Sequence, residues 1–219
     1  MSDEFNFLDD WNLDDEQPAK EQAPQPAPED MPVAKRSKRR HAACIELSER
    51  YLYRRAFSEV SLLDIIPKEL EEGHSVHVIT AGDVDSLSYL KCVLRIQDLE
   101  HCLFSTWCMA AEDILQFDEW ITQGRIRKLD AYVGEIFPTS YKVEWKMLQD
   151  LFKDHQCGRI AVFRNHSKIY AGTGPKFAFG IETSANINTN PRTENGCITI
   201  GTEIYDFYKS YFDGIVSFV

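Results

Sequence analysis

The sequence lacks any long apolar run and any regular spacing of cysteines. No stretch of its 219 residues approaches the roughly 18 consecutive apolar residues that suggest a membrane-spanning helix, and the N-terminus is acidic rather than signal-like. The six cysteines are scattered without a C-x-x-C pair, which argues against disulfides and structural zinc. We therefore expect a soluble cytoplasmic protein with reduced thiols and no membrane association.

Basic residues are also scarce. The chain has 24 Lys and Arg against 35 Asp and Glu, a formal net charge of −11 at pH 7. A protein that coats nucleic acid needs a basic face to displace counterions from phosphates, so this balance is not that of a general coat protein. A small basic cleft is still compatible with it, because Lys168, Lys176 and Arg192 lie in one segment of the chain.

The first 40 residues differ in composition from the rest. Residues 1–34 contain ten acidic residues and one lysine and are rich in Pro, Gln and Ala. Such a segment cannot bury enough apolar surface to offset the entropy of ordering. We expect residues 1–40 to be a disordered acidic tail that ends in the basic run KRSKRR, at 35–40, and residues 41–219 to form one domain.

Two features of this tail suggest partners. Its start places an aromatic-rich group among aspartates, and acidic-aromatic segments can fold onto a hydrophobic groove of a partner protein; a merely solubilising tail is the alternative. The group consists of Phe5, Phe7, Leu8 and Trp11. The basic run at 35–40 could bind a DNA or RNA backbone near the active site, or it could have no such role.

Helical and strand periodicities alternate from residue 44 onward. A helical pattern over 44–66 is followed by three strand–helix pairs, a fourth strand, a hairpin, a last strand and a final helix. This order predicts an α/β fold with a mixed, largely parallel sheet and helices on both faces. The strand patterns cover 75–82, 101–110, 129–137, 159–164 and 196–201, and the later helical patterns cover 85–98, 112–124, 140–155 and 203–218.

Details of the helices can also be predicted. Asp83 or Asp85 could be the N-cap of the helix over 85–98, and Ser140 that of the helix over 140–155. Gly124 would close the helix before it. In the final helix, a 3, 4, 3, 4 spacing predicts one buried face, which comprises Ile204, Phe207, Tyr208, Tyr211, Phe212 and Ile215.

Several polar side chains follow the carboxyl ends of the predicted strands. Ligands bind beyond these ends in open α/β sheets, so Asp83, Asp85, Trp107 and Glu135 could line one cleft. Asp83 as a helix cap and Trp107 as a core residue are the alternative interpretations.

The segment with the richest chemistry is 165–195. His166 and Lys168 are two residues apart in NHSKIYAG, so on a strand their side chains would leave the same face about 7 Å apart. TGP is a turn signal, and KFAFGIET is typical of a returning strand, so a hairpin would bring Ser184 and Asn186 of TSAN back toward the pair. An imidazole, an ammonium, a hydroxyl and an amide would then converge, as a phosphate-ester site requires.

The combination of HSK and TSAN resembles the phospholipase D superfamily, whose signature is His-x-Lys, an Asp, and Gly-Ser-x-Asn. His166 and Lys168 match its first part, Ser184 and Asn186 match its last part, and Glu194 lies where the family often has an acid that orients the His.

The chain differs from the family pattern at two points. The position of the family's Asp is occupied by Thr173, and Thr183 replaces the Gly before Ser184, which follows Lys168 by 16 residues. We interpret these differences as a lengthened hairpin in a divergent, single-motif, nuclease-like branch.

The resemblance implies a metal-independent phosphodiesterase that needs no cofactor and acts on nucleic acid as a nuclease. In the family, a His attacks phosphorus and forms a phosphohistidine, and a second His protonates the leaving oxygen. By this analogy His166 is the nucleophile, Lys168 and Asn186 hold the phosphate, Ser184 positions it, and Glu194 holds the imidazole tautomer.

The resemblance also implies partners for the site. Because the chain has one such motif, the economical arrangement is a homodimer in which His166 of each subunit faces the other across a two-fold interface. Arg192, Glu135 and Trp107 are candidates for contacting the substrate.

Two other functions stay open. A phospholipase D-like module without activity, which binds nucleic acid or a protein partner, fits the absence of the family's Asp. A metal-dependent nuclease would use Asp83, Asp85 and Glu135. Lipid is a weaker substrate candidate, because the chain has no amphipathic membrane segment and its charge would repel anionic bilayers.

Overall fold

A computed structural model describes residues 44–48, 51–56, 59–80, 84–187 and 192–218. The acidic tail, the basic run at 35–40 and Asp83 lie outside these residues. The strands are β1 (Cys44–Ser48), β2 (Tyr51–Ala56), β3 (Ser75–Thr80), β4 (His101–Thr106), β5 (Leu129–Gly134), β6 (Ile160–Phe163), β7 (Ile169–Thr173), β8 (Ala178–Thr183) and β9 (Asn195–Ile200). The helices are α1 (Glu59–Ile65), α2 (Ser86–Leu94), α3 (Ala111–Thr122), α4 (Phe137–Ser140), α5 (Lys142–His155) and α6 (Thr202–Asp213).

The nine described strands form one mixed sheet. Their order is β1-β2-β3-β9-β8-β7-β4-β5-β6. The pairs β2–β3, β4–β5 and β5–β6 are parallel, and the other pairs are antiparallel. It follows that β1, β7 and β9 run against the other strands. Six of the nine described strands thus run in one direction, and in this sense the prediction of a mixed, largely parallel sheet is confirmed.

Alternating side chains of the sheet supply two apolar cores, one on each face. On β4, Cys102 and Phe104 belong to the larger core and Leu103 to the smaller one, as the two-residue period of a strand requires. Helices α1, α2, α3 and α5 contribute to the larger core, whereas α6 covers the smaller core with Tyr208 and Phe212. The prediction of helices on both faces is therefore confirmed.

The helix predicted over 44–66 is wrong for most of its length. Residues Cys44–Ser48 and Tyr51–Ala56 are strands, and the helix begins only at Glu59. All of β2 pairs in parallel register with β3, so the sheet satisfies the backbone groups of this segment. Pairing with a neighbouring strand therefore outweighs the local helical periodicity.

The helix ends confirm two predictions and correct one. Asp85 is the N-cap of α2, where its carboxylate accepts a hydrogen bond from the Ser88 amide at 2.9 Å. Gly124 follows α3 with a φ of +72°, the left-handed conformation that ends many helices. The predicted cap Ser140 instead ends the short helix α4, and Tyr141 precedes α5 without a side-chain capping bond.

The buried stripe of α6 is narrower than its spacing predicts. Tyr208 and Phe212 are buried, and Ile204 and Ile215 pack against the smaller core. Phe207 and Tyr211, in contrast, are 65% and 58% exposed. Helix α6 contacts mainly β7 and β8, so the flank of α6 that turns away from these strands is exposed to solvent.

Two findings concern the groups that the sequence lacks. No helix in the described part of the chain is long and apolar enough to cross a membrane. The cysteines whose side chains the structure describes are free thiols and are buried: Cys92, Cys102, Cys108, Cys157 and Cys197.

Candidate active site at the β7–β8 hairpin

The hairpin of β7 and β8 brings the two motif segments together, as predicted. Ile169 pairs with Glu182, and Thr173 pairs with Ala178. At the open end of the hairpin, the Thr183 amide donates a hydrogen bond to the Lys168 carbonyl at 3.1 Å. The His-x-Lys segment and the Ser-x-Asn segment therefore leave the sheet side by side.

His166 and Lys168 lie in the loop before β7 and not on the strand itself, so the geometry predicted for two residues of a strand does not apply. The loop folds back on itself. The Lys168 ammonium donates to His166 Nδ1 at 2.9 Å and to the His166 carbonyl at 2.6 Å. Lys168 is 7% exposed, whereas His166 is exposed at the surface. The imidazole is thus accessible, and the ammonium beneath it is shielded from water.

Asn165 anchors this loop to the sheet. Its side-chain amide donates to Ser105 Oγ at 2.9 Å, to the Thr106 carbonyl at 3.2 Å and to the Tyr132 carbonyl at 3.1 Å. Its side-chain oxygen accepts hydrogen bonds from the amide and the hydroxyl of Ser167, at 2.9 and 2.7 Å. The residue just before His166 is therefore fixed to the ends of β4 and β5.

The second motif is tied to the start of β9. Ser184 Oγ donates to the Glu194 carboxylate and accepts a hydrogen bond from the Asn195 amide at 3.0 Å. The Glu194 carbonyl in turn accepts a hydrogen bond from the Thr80 amide at 2.8 Å. The structure therefore pairs Glu194 with Ser184, and its predicted role of orienting His166 stays a proposal.

Asn186 has an unused polar atom. Its backbone carbonyl accepts a hydrogen bond from the Ser86 amide at 3.2 Å, but its buried side-chain Oδ1 has no hydrogen-bond partner in the described structure. The oxygen and nitrogen of an amide are assigned from such networks, and a buried polar atom without a partner is unfavourable by about 1–3 kcal/mol. Only a ligand group that donates a hydrogen bond would relieve this cost, and Asn186 is not among the residues that line the cleft described below.

The residues predicted to contact substrate differ in their relation to the pair. The Trp107 ring lies 5.3 Å from the His166 ring, centroid to centroid, and it also packs against the larger core. Glu135, which is exposed, accepts a hydrogen bond from the Asn165 amide at 3.3 Å. Arg192 is also exposed, and none of the contacts above places it beside His166.

An open cleft of about 450 Å³ lies beside the pair. Its walls combine the loop before β7 with the end of β8 and one side chain of α6. The lining residues are His166, Ser167, Lys168, Ile169, Glu182, Thr183, Ser184 and Tyr208. Three of the predicted site residues thus share one cavity.

Burial and charge modify the pair in a consistent direction. Partial desolvation of the exposed imidazole by the surrounding loop, and then the adjacent Lys168 ammonium, lower the pKa of His166 below its ordinary value. Burial also lowers the pKa of Lys168, while Cys108 and Glu194 act in the opposite direction. At neutral pH the imidazole is therefore mainly uncharged, the form that has the lone pair a nucleophile requires.

The carboxylates proposed for a metal site do not form a cluster in the described structure. Among the described residues, no group of three or more His, Cys, Asp or Glu side chains could hold a metal ion. Asp85 is engaged as the cap of α2, Glu135 lies beside Asn165, and Asp83 lies outside the described residues.

Sequence reasoning missed the residues that support the pair. Asn165 and Ser167 carry a local signal, because an Asn that accepts a hydrogen bond from the amide two residues later is a common turn. Ser105 carries no such signal, since only the fold brings it to Ser167, with the hydroxyls 2.6 Å apart. Glu182 and Tyr208 were likewise absent from the predicted site and line the cleft.

Comparison with known proteins gives a fold and no close relative. No protein-family model and no curated protein matches the chain. Polyphosphate kinase from Porphyromonas gingivalis superposes with a TM-score of 0.51 at 13% identity, over 73% of this chain and 28% of that chain. Phosphatidylserine synthase from Haemophilus influenzae superposes with a TM-score of 0.44 at 9% identity, over 64% of this chain and 37% of that one.

These figures set the limits of the likeness. The chain spans well under half the length of either protein, between 28% and 37%. The superposition with polyphosphate kinase shows that the two chains share a fold.

Proposed function

We propose that this protein is a metal-independent phosphodiesterase, specifically a nuclease, which acts through a phosphohistidine at His166. The main support is the contact between the His166 imidazole and the Lys168 ammonium, 2.9 Å long, at the edge of a cleft that Ser184 also lines. A fold shared with a protein named polyphosphate kinase is compatible with chemistry at phosphorus.

In the proposed reaction, a substrate phosphate takes over the Lys168 ammonium as its partner and frees the imidazole lone pair. Attack forms an N–P bond and breaks the P–O bond to the leaving alcohol, whose oxygen receives a proton from a second group. Water then attacks phosphorus and gives a proton back to that second group, the N–P bond breaks, and both groups are restored. Lys168 and the Asn186 amide stabilise the phosphoryl charge, and Ser184, held by Glu194, positions the phosphate.

The second proton-transfer group comes from another subunit in this proposal. The described histidines other than His166 have partners that do not line the cleft: His74 contacts Glu71, His77 contacts Cys197, His101 contacts Asp130, and His155 contacts Asp118. A two-fold homodimer would place His166 of one subunit opposite His166 of the other, where the uncharged imidazole attacks and its partner, which must carry a proton in the reactive complex, donates it.

The position of Thr173 bears on the alternative of an inactive binding module. Thr173 ends β7 and pairs with His101, about 16 Å along the strand from Lys168. An acid at this position would lie at the far end of the hairpin, away from the cleft. The absence of the family's Asp therefore removes no group from the cleft, which favours the enzyme over the inactive module.

The experiment that tests the proposal is hydrolysis of bis-p-nitrophenyl phosphate and of labelled RNA and DNA in EDTA. Wild type should turn over in EDTA, and His166→Ala should not. His74→Ala, which removes an imidazole that contacts Glu71, is the matched control and should keep full activity.

Other results would point to the other two functions. Activity that EDTA abolishes and magnesium restores would move the chemistry to carboxylates and contradict the proposal. Binding of nucleic acid without turnover under any condition, with equal affinity for wild type and His166→Ala, would make the protein a phospholipase D-like binding module.

A further inference from the structure

The part of the cleft formed by β8 carries a carboxylate that the proposed reaction does not use. Glu182 lies near the end of β8, where its Cα pairs with Ile169, the residue next to Lys168. Its side chain is exposed and lines the cleft. In addition to Glu194, a second carboxylate therefore lies within one strand spacing of the proposed phosphate site.

Tyr208 of α6 holds this carboxylate in place. Its hydroxyl donates a hydrogen bond to Glu182 Oε1, and its ring is buried in the smaller core. Burial, and then the hydrogen bond with Glu182, raise the pKa of Tyr208, so the phenol stays protonated and donates. A carboxylate has about four acceptor positions, and Tyr208 occupies one of them. Glu182 is therefore pre-positioned and can accept further hydrogen bonds.

The charges divide the cleft into two halves. Lys168 and His166 suit an anionic phosphate, whereas Glu182 would repel a phosphate oxygen placed beside it. The group that lies against Glu182 is therefore either a cation or an uncharged part of the ester that donates a hydrogen bond to it. In a nucleic acid, the donor closest to the phosphodiester is the ribose 2′-hydroxyl, which DNA lacks.

We propose that Glu182 accepts a hydrogen bond from the ribose 2′-hydroxyl next to the scissile phosphate and so selects RNA over DNA. This inference rests on the proposed phosphodiesterase function. A charge-assisted hydrogen bond of this kind corresponds to a preference of about 10- to 100-fold. Thr183 and Ser184 line the same wall and add hydroxyl partners for the sugar.

The test compares three short oligonucleotides of one sequence, with ribose, deoxyribose or 2′-O-methylribose, by their kcat/KM in EDTA. Wild type should prefer the ribose substrate over both others by about 10- to 100-fold. Glu182→Ala should reduce this ratio to about 1, and Glu182→Gln, which keeps an uncharged acceptor, should leave a ratio of a few-fold.

Two further variants separate the interaction from general damage. Tyr208→Phe keeps the ring in the core and removes the hydrogen bond to Glu182, so it should lower the ratio without abolishing turnover. Glu203→Gln, an exposed glutamate of the same helix, should leave the ratio unchanged. Thermal unfolding of each variant shows whether it is still folded. If Glu182→Ala has lost its fold, the ratio measured for Glu182→Gln decides the role of Glu182 instead.

The outcomes distinguish this inference from the function on which it rests. Equal rates on ribose and deoxyribose substrates, or a preference that survives Glu182→Ala, would overturn the role of Glu182 and leave the phosphodiesterase intact. Preferred cleavage of glycerophosphoethanolamine over RNA would also overturn it, because Glu182 would then face a cationic head group. Failure of wild type to cleave any phosphodiester in EDTA would instead contradict the proposed function itself.

Discussion

The hydrogen bond between Lys168 and His166 connects the two residues on which the proposed chemistry depends. Lys168 is 7% exposed, and its ammonium lies 2.9 Å from His166 Nδ1. An ammonium at this distance disfavours protonation of the imidazole. One residue therefore serves both purposes: it provides a cation for the phosphate and keeps the neighbouring nucleophile uncharged.

A titration of His166 tests this coupling without any assay of activity. NMR should give a pKa for His166 below the ordinary 6.5, because burial and Lys168 both disfavour the imidazolium. Lys168→Gln should raise that pKa but not fully to 6.5, since burial, the larger cause, is still present. The acid limb of the kcat/KM profile of wild type should follow the same pKa, because only the neutral imidazole can attack.

An unchanged pKa of His166 in Lys168→Gln would contradict the coupling, and so would a downward shift.

Asn165 should matter for both stability and catalysis. Its amide donates to Ser105, Thr106 and Tyr132, and Asn165→Ala would leave buried acceptors without a donor. We expect the free energy of unfolding to fall by about 2–4 kcal/mol, as measured by urea denaturation.

The same change should lower kcat more than it raises KM, because the loop that carries His166 loses its anchor. Asn195→Ala, at an exposed position on β9, is the matched control and should have a small effect on both quantities. If Asn165→Ala retained the kcat of wild type, Asn165 would support the fold alone.

The site illustrates which residues a sequence can identify. His166, Lys168, Ser184 and Asn186 could be recognised because a short pattern contains them. Ser105 could not, because it lies 62 positions from Ser167 in the chain and only the pairing of strands brings the two together. The role of Glu194 also depended on folded geometry, which pairs its carboxylate with Ser184. Patterns therefore give the reactive groups, and tertiary contacts give their supports.

The end of β5 limits how the elements of the site approach each other. A Cβ added at Gly134 would lie 2.7 Å from Trp107 Cδ1, 3.0 Å from the Trp107 carbonyl and 3.1 Å from the Asn165 carbonyl. Two of these atoms belong to the backbone and cannot move independently. The end of β5 therefore needs glycine so that the loops carrying Trp107 and Asn165 can pack against it.

Gly134→Ala tests this close packing. We expect the free energy of unfolding to fall by about 1–3 kcal/mol, the typical result of overpacking, and kcat to fall because the loop before β7 shifts. Denaturation and turnover of the same samples measure the two effects. Gly214→Ala, where the nearest atom to an added Cβ is 3.4 Å away, should change neither. If Gly134→Ala had the stability of wild type, the loop that carries Trp107 would be able to move away from the added Cβ without cost, which would contradict the need for glycine.

Most elements were predictable because their periodicity agrees with their environment. Beyond residue 75 the predicted strands and helices match the observed ones to within a few residues, since each segment has one apolar face or is apolar throughout. The strands within segment 44–56 were not predictable, because their residues fit a helix locally and form strands by pairing within the sheet, where β2 pairs with β3. Tyr211 and Phe207 of α6 fit a buried face by spacing, but a face is buried only where a partner covers it.

A subunit-mixing experiment tests whether each active site is shared between two subunits. If each site needs His166 from both subunits, a mixed dimer of wild type and His166→Ala has no complete site. After subunit exchange in an equal mixture, about one quarter of the dimers are fully wild type, so activity per wild-type chain should fall by about half. An equal mixture with His74→Ala should lose nothing. Activity in strict proportion to the wild-type chain would contradict the shared site.

The basic run at 35–40 could help this acidic chain to bind a polyanion. One row of paired residues crosses the sheet from β1 to the cleft: Cys44, Arg54, Val78, Gly196 and Thr183. Four strand spacings of about 4.8 Å separate its ends by about 19 Å. Arg40 precedes Cys44 by four residues, so a nucleic acid that extends from the cleft toward β1 could contact the run.

Replacement of Lys38, Arg39 and Arg40 by Gln should weaken binding of single-stranded RNA and reduce its salt dependence. Each lost phosphate contact lowers the slope of log K against log salt by about 0.7, so the three together lower it by about 2. Fluorescence anisotropy between low and moderate salt measures this slope. Turnover of bis-p-nitrophenyl phosphate, which is too small to reach the run, should be unchanged, and Lys20→Gln should leave the slope as in wild type. A slope that did not change would separate the run from substrate binding, and the affinity would then have to come from the cleft alone.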